Sequence, residues 1–453
     1  MKMNPNYGIS GYDSLRRRYS QGHPEHTGGG SPLISPWAAE KKRIMKKPLR
    51  RCGIVLCLLL AAAALPACGG GGGGGEPPGR FSLIQSIDFD GGANGNDWAA
   101  GVALDESGNL YVTGYVTVSG QGANIWLAKY DFNLVLQRST TLNGPANGDD
   151  WGYAIALDGS GSLYVVGYVT EPGQDHNIWL AKYDSNLALQ KQITVNGSAN
   201  STDEGYGIIF DGGGNLYVAG TVMETGQGYN IWIAKYDTDL NLLLGTTVNG
   251  PGNNTDKGRF LALDASGNLF VSGSVTQAGS GYDIWLGKLD TNLNLLKQTI
   301  VAGPTTGEDK GYGILFDDTN NVLYVTGTLT EPAQGYDIWL AEYDINLNLL
   351  KSVTLNGPVD GEDASYSMVL DRSRNLYQTG VYTEDRGGSN VWIARYNTNL
   401  ELHSHTTYDG PANGYDSGLG IVRGLSQDVY VSGFVTEVSG DYNIWLAHYR
   451  LSP

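Results

Sequence analysis

With 453 residues, 66 of them Gly and 28 Tyr, and 41% hydrophobic residues, the chain has the apolar mass for a sizeable core and is not disordered. Its formal net charge of −17 is unevenly placed: residues 1–67 hold 11 Lys+Arg and 3 Asp+Glu, leaving 18 basic and 43 acidic residues, a net of −25, for the remainder. So acidic a domain repels nucleic acid and anionic lipid, which excludes DNA and RNA as partners.

Residues 1–44 show no hydrophobic periodicity and read either as a start-site artefact, with translation beginning at Met45, or as a disordered extension. From Met45 the chain has a basic stretch (Lys46, Lys47, Arg50, Arg51), a short apolar run and small residues before Cys68. The apolar run is shorter than the roughly 20 residues of a membrane span, so 45–67 is expected to be a cleaved signal peptide. Leu65-Pro66-Ala67-Cys68 resembles the lipobox of bacterial lipoproteins, although Pro66 stands where a small or hydroxyl residue is usual. That resemblance implies that Cys68 is acylated with diacylglycerol and becomes the mature N-terminus; an ordinary secretory signal with a chance cysteine is the alternative. Gly69 to Gly75 and the following Glu-Pro-Pro-Gly make 68–80 a flexible tether with a reach of roughly 15 Å. Gly69 is not Asp, which in the resembling lipoproteins favours the outer membrane of the cell envelope, on either of its sides. Cys52 and Cys57 lie in the signal region, so no cysteine remains beyond Cys68 to form a disulfide.

The rest, 81–453, is one repeated unit. NIWLAKYD at Asn124 returns in close variants at Asn177, Asn230, Asp283, Asp337, Asn390 and Asn443, and its tryptophans are spaced 53, 53, 53, 54, 53 and 53 residues apart. A period near 50 points to propeller blades or solenoid coils. In the second copy, Tyr153–Leu157 is a short apolar run, Asp158 to Ser162 a turn, and Leu163–Thr170 a β-branched and aromatic run. A Gly/Pro loop, the NIWLAKY strand and a final strand at Leu189–Val195 follow. Four strands with hairpin-length connections and no helical period make an antiparallel meander. Both faces of its strands are apolar, as in a blade covered on each side by a neighbour, so each repeated tryptophan is expected to be a wedge between blades.

The last copy stops after its third strand at Leu451-Ser452-Pro453, while FSLIQSIDFDGG at Phe81 matches the fourth-strand pattern LLKSVTLNG at Leu349. The fold expected is therefore all-β: a seven-bladed β-propeller of four-stranded antiparallel blades, its ring closed by an N-terminal strand that completes the last blade. The repeats, of the form D-x-x-G-N-L-Y-V-x-G with an aromatic strand ending in A-K-Y-D, resemble the bacterial seven-bladed β-propeller repeat family found on secreted proteins and lipoproteins. The resemblance covers 81–449 and implies a fold and an extracytoplasmic setting, not a reaction.

One edge of each blade carries short repeated turns such as DESGN at Asp105 and DASGN at Asp264; the other carries longer, varied loops such as TEPGQDH at Thr170 and TEDRGGS at Thr383. Variation on one face of a fixed scaffold marks a binding surface. On that side Asp97, Asp150, Asp203, Asp256, Asp309, Asp363 and Asp416 occupy one position per blade, before the first strand. Seven carboxylates around a channel mouth could recruit a cation, calcium being the one expected, or each could accept backbone N–H groups and fix its crossing loop. Three residues on stand Ala100, Tyr153, Tyr206, Arg259, Tyr312, Tyr366 and Leu419, where Arg259 breaks the pattern; His176 and Arg386 are loop singletons. His403 and His405, two apart on a fourth strand, would share a face and could bind a metal with a third ligand.

No nucleophile and base, and no three-ligand metal site, recurs in the sequence. The expectation is a monomeric, lipid-anchored, non-catalytic scaffold that binds a protein or glycan through its loop-rich face and has no cofactor unless calcium is held. Two alternatives remain: an extracytoplasmic enzyme acting on carbohydrate or a channel-held cofactor, which would require Arg259, His176 and Arg386 to converge, and a cation-binding propeller.

Overall fold

The structure, a computed structural model, describes residues 79–451 except 278–280, 333–334, 385–387 and 426. The signal segment, Cys68, most of the tether and Arg386 therefore lie outside the described residues. The described chain is all β. Blade one consists of strands Trp98–Leu104, Leu110–Val118, Gly122–Tyr130 and Leu136–Leu142, hydrogen-bonded in that order. The same meander recurs at 151–195, 204–248, 257–301, 310–355 and 364–408.

Blade seven has Ser417–Arg423, Asp428–Thr436 and Tyr442–Leu451, and its fourth strand is Phe81–Phe89, antiparallel to Tyr442–Leu451 with Phe81 opposite Leu451 and Phe89 opposite Ile444. Pairing the two ends of the repeat region removes the edge that an incomplete last blade would leave. First strands pack against the first strands of the blades on either side, including the last against the first, and so line the axis of the ring.

The repeated tryptophans are all buried, and they sit between blades as expected. Trp126 packs among Val422, Tyr430 and Ile444 of blade seven, Trp179 among Tyr111, Ile125 and Leu127 of blade one, and Trp392 among Tyr324, Ile338 and Leu340 of blade five. Burying a large aromatic at each interface contributes about 1.5–3 kcal/mol per side chain, which is what makes seven separate sheets one body.

Each first strand carries a β-bulge at the same place. In blade one the register shifts between Ala99 and Gly101, in blade four between Gly258 and Phe260, in blade six between Ser365 and Ser367. The extra residue is the third after the repeated aspartate. A glycine in the second strand permits the kink: a Cβ on Gly114 or Gly273 would overlap the carbonyl oxygen of Trp98 or Lys257 on its own first strand. This is why the Y-V-x-G motif ends in glycine in every blade.

Candidate functional site

The bulge turns its extra residue towards the axis, so that the bulged residues of adjacent blades touch. Tyr153 and Tyr206 have ring centroids 5.1 Å apart, Tyr312 and Tyr366 5.0 Å apart, and the guanidinium of Arg259 lies 5.3 Å from the Tyr312 ring centroid. Arg259 is buried and donates to the Ser274 hydroxyl at 2.8 Å. Aromatic contacts continue the circle: Tyr415 stacks near Phe434, Phe434 stacks on Trp98 at 4.7 Å, and Tyr115 stacks on Trp151 at 4.5 Å.

The circle is interrupted on one side by charge. Immediately after the repeated aspartate, the seven blades place Trp98, Trp151, Glu204, Lys257, Lys310, Ala364 and Ser417. Glu204 is buried and accepts a short hydrogen bond from the Tyr206 hydroxyl; Lys257 Nζ lies 3.8 Å from Glu204 Oε2 and 3.0 Å from the Tyr206 oxygen. His176 stacks on Tyr168 at 4.1 Å and brings Nδ1 to 3.8 Å from Glu204 Oε1. In the next blade Lys310 pairs with Glu308 at 3.0 Å and lies over the Tyr282 and Tyr336 rings. His176 and Arg259, singled out as exceptions in the sequence, thus stand in one sector of blades two to five, in blades two and four. Glu204, Lys257 and Lys310 complete that sector. The sequence holds the signal for them in the position after each aspartate, read as a column.

All seven aspartates have fully buried side chains. In blade one, Asp97 accepts the backbone N–H groups of Gly91 at 2.5 Å and Thr117 at 2.6 Å, one on each oxygen. Asp150 takes Gly144 and Thr170, Asp203 takes Gly197 and Met223, and Asp256 takes Gly250 and Thr276. Asp309, Asp363 and Asp416 repeat the arrangement with Gly303 and Thr330, Gly357 and Thr383, and Gly410 and Thr436. Each carboxylate therefore ties its crossing loop to the second strand of its own blade.

Loss of water around the carboxyls raises Asp97, Asp150, Asp203, Asp363 and Asp416 to about 6, against the lowering effect of their two N–H donors. Asp256 and Asp309 are raised for the same reason. The aspartate N–H is also used: it donates to a third-strand carbonyl of the preceding blade, as from Asp150 to Ala123 at 2.7 Å and from Asp203 to His176 at 2.7 Å. Among the described residues no three of His, Cys, Asp and Glu come together as a metal-ligand set. His403 meets Asn397 at 3.1 Å on its Nε2, and His405 faces the Tyr382 ring edge-on at 5.8 Å.

The opposite face repeats its turns in most blades; in blade five Asp317 accepts from Thr319 and Asn320 and pairs with Arg374, and in blade seven Gly424 stands at the aspartate's place. Asp105, Asp158, Asp211 and Asp264 each accept N–H groups two and four residues on, and Asp131, Asp184, Asp237, Asp290 and Asp344 do the same in the next turn. These side chains are engaged in turn formation.

Residues 91–117, from the first crossing loop through the second strand of blade one, match the family described as beta-propeller repeat, and the structure sets that unit seven times around the ring. No curated protein matches the chain. Among solved structures, one described as an oxidoreductase (glucose dehydrogenase) from Thermus thermophilus is similar at 14% identity and a TM-score of 0.40, over 81% of this chain and 100% of that one. A likeness that distant carries nothing about activity.

Proposed function

We propose that this closed ring of seven beta-propeller repeats is the body of a bacterial envelope lipoprotein, anchored at the outer membrane through Cys68, which binds a protein or glycan partner with its loop-rich face and performs no chemistry of its own. The observation that supports it is the contrast between the two faces. One carries the same aspartate-closed turns in most blades; the other varies from blade to blade in its loops, over the buried charges of Glu204 and Lys310. A scaffold that varies on one side only has that side to offer a partner.

Photo-crosslinkers placed in cells at exposed Ser119, on the loop side, and exposed Asn133, on the turn side, test this. A discrete adduct from Ser119 and none from Asn133 is the expected result; equal adducts, or an adduct from Asn133 alone, overturn it. In the same cells the wild-type chain incorporates an alkyne fatty acid and fractionates with membranes, and Cys68→Ala loses both properties. Soluble wild-type protein would overturn the anchor.

A second reading, extracytoplasmic catalysis at the channel mouth, is favoured by the convergence of His176, Glu204 and Lys257. It requires Glu204→Gln to abolish turnover of some carbohydrate substrate while leaving the fold intact.

A further inference from the structure

Where the fourth strand crosses the tryptophan strand, every blade but the third places a side chain beside the indole, of a kind that varies from blade to blade. The residue two places along from the tryptophan is paired with Ser86, Ser139, Gln192, Gly245, Gln298, Ser352 and His405 in the successive interfaces. In blades two and four that glutamine caps the indole: Trp179 Nε1 donates to Gln192 at 2.9 Å and Trp285 Nε1 to Gln298 at 2.8 Å. Gly245 supplies no side chain, and Trp232 is 8% exposed where Trp179 and Trp285 are 1%. The space is a shallow, open recess of about 280 Å³, bordered by Trp232, Val222, Gly245, Ser198, Glu224 and Thr247.

A second exception falls on the same recess from a different part of the chain. The crossing loops read Asn/Ala/Asp-Gly-Pro at Pro145, Pro251, Pro304, Pro358 and Pro411 and Asp-Gly-Gly at Gly92, and only blade three has a hydroxyl there, in Asn-Gly-Ser at Ser198. The Ser198 hydroxyl donates to Glu224 Oε2 at 2.5 Å and accepts the Thr225 N–H at 3.0 Å, which fixes the carboxylate at the edge of the recess. Two independent departures from the repeat, one removing bulk and one adding a hydroxyl that positions an acid, build one recess.

We propose that this recess is a subsite for one neutral sugar ring of a glycan. The proposal rests on the reading of the protein as a binding module and names what part of it binds. A pyranose has an apolar C–H face and a rim of hydroxyls; the uncovered edge of the Trp232 indole beside a carboxylate and two hydroxyl side chains offers partners for both. The net charge of −25 beyond residue 67 disfavours anionic sugars. An ammonium ligand would gain from Trp232 and Glu224, but a single aromatic wall makes no cage around a cation, and the hydroxyls would be left without use.

Gly245→Gln is the direct test, because it restores what blades two and four have. A Cβ on Gly245 meets nothing within 4 Å, so the backbone there has room for a side chain. Saturation-transfer NMR on the full chain uses methyl α-glucoside, methyl β-galactoside, N-acetylglucosamine and choline as probes. At least one saccharide binds wild type with a millimolar Kd, and Gly245→Gln weakens it by about tenfold or more with an unchanged or higher Tm; Ser198→Pro and Glu224→Gln weaken it as well. Equal saccharide binding by wild type and Gly245→Gln overturns the site while leaving glycan binding elsewhere on the protein standing. Choline binding without saccharide binding overturns the ligand class, and no binding of any probe overturns the proposal outright. Neither of those last results touches the crosslinking outcome at Ser119, which judges the wider reading separately.

Discussion

The backbone N–H of Asp97 donates to the carbonyl oxygen of Tyr442 at 2.8 Å, joining the first blade to the last. The same bond joins every other pair of neighbours, from Asp256 to Tyr229 at 2.8 Å and from Asp416 to Ser389 at 2.7 Å among them. The seam is thus chemically the same as the other interfaces, and the strand that completes the blade beside it is Phe81–Phe89. Deletion of 81–89 is expected to unmask the Tyr442–Leu451 edge of blade seven, giving concentration-dependent association and a broad, multistep melt in place of one transition. Size-exclusion chromatography and calorimetry of the full chain and the deletion measure both.

Asp256 satisfies two buried N–H groups, of Gly250 and Thr276. Asp256→Ala orphans both and should destabilise by about 1–3 kcal/mol for each, read from urea denaturation. Asp256→Asn should be milder, since its carbonyl oxygen still accepts one of them while its amide group opposes the other.

The five repeated aspartates raised to about 6, and Asp337, which burial raises likewise, bind protons more readily folded than unfolded, where an ordinary carboxyl near 3.8 applies. Between those values the native state holds more protons, so stability falls as pH rises from about 4 to about 6 and is lower on the neutral side. Asp158 and Asp344 act oppositely: burial pushes them up, but turn hydrogen bonds outweigh it and hold them below the usual value, and their contribution is lost as pH falls below about 4. Thermal melts should therefore peak near pH 4, with a Tm at pH 5 still above that at pH 7.5. A Tm that declines steadily from pH 7.5 to 5 would contradict the raised aspartates.

Calcium should not move the melt. With both oxygens of each aspartate facing N–H donors, a cation would have to displace backbone hydrogen bonds in order to bind. The expected Tm in EDTA equals that in millimolar calcium; a clear rise with calcium would, by linkage, require a site on the native state.

Much of this architecture was legible in the sequence because repetition averages out local ambiguity. Leu189–Val195 is a strand in the structure with the bounds read from its residues, and the terminal Phe81 strand closes the last blade as its pattern required. The opening strand of blade two begins at Trp151, two residues before the apolar run that announced it, because its first residue belongs to the axial layer and not to the alternation. The seven aspartates were visible as a column, but their surroundings were not: whether a carboxylate faces a cation or two amides depends on loop geometry. Arg259 and His176 stood out as exceptions, while Glu204, Lys257 and Gly245 did not, since each is ordinary by type and unusual only against its six counterparts.

The order in which the ring is made differs from the order in which it is assembled. Phe81 leaves the ribosome about 370 residues before Leu451, its partner. At roughly 5–20 residues per second, that is an interval of roughly 20–75 s. For all of that time the closing strand has nowhere to dock, while blades one to six can form behind it from local hairpins. Closure is then a single late event whose rate depends on how quickly the last repeat finds the first strand, and any factor that shields a lone, half-apolar strand during that interval would set the yield of finished rings.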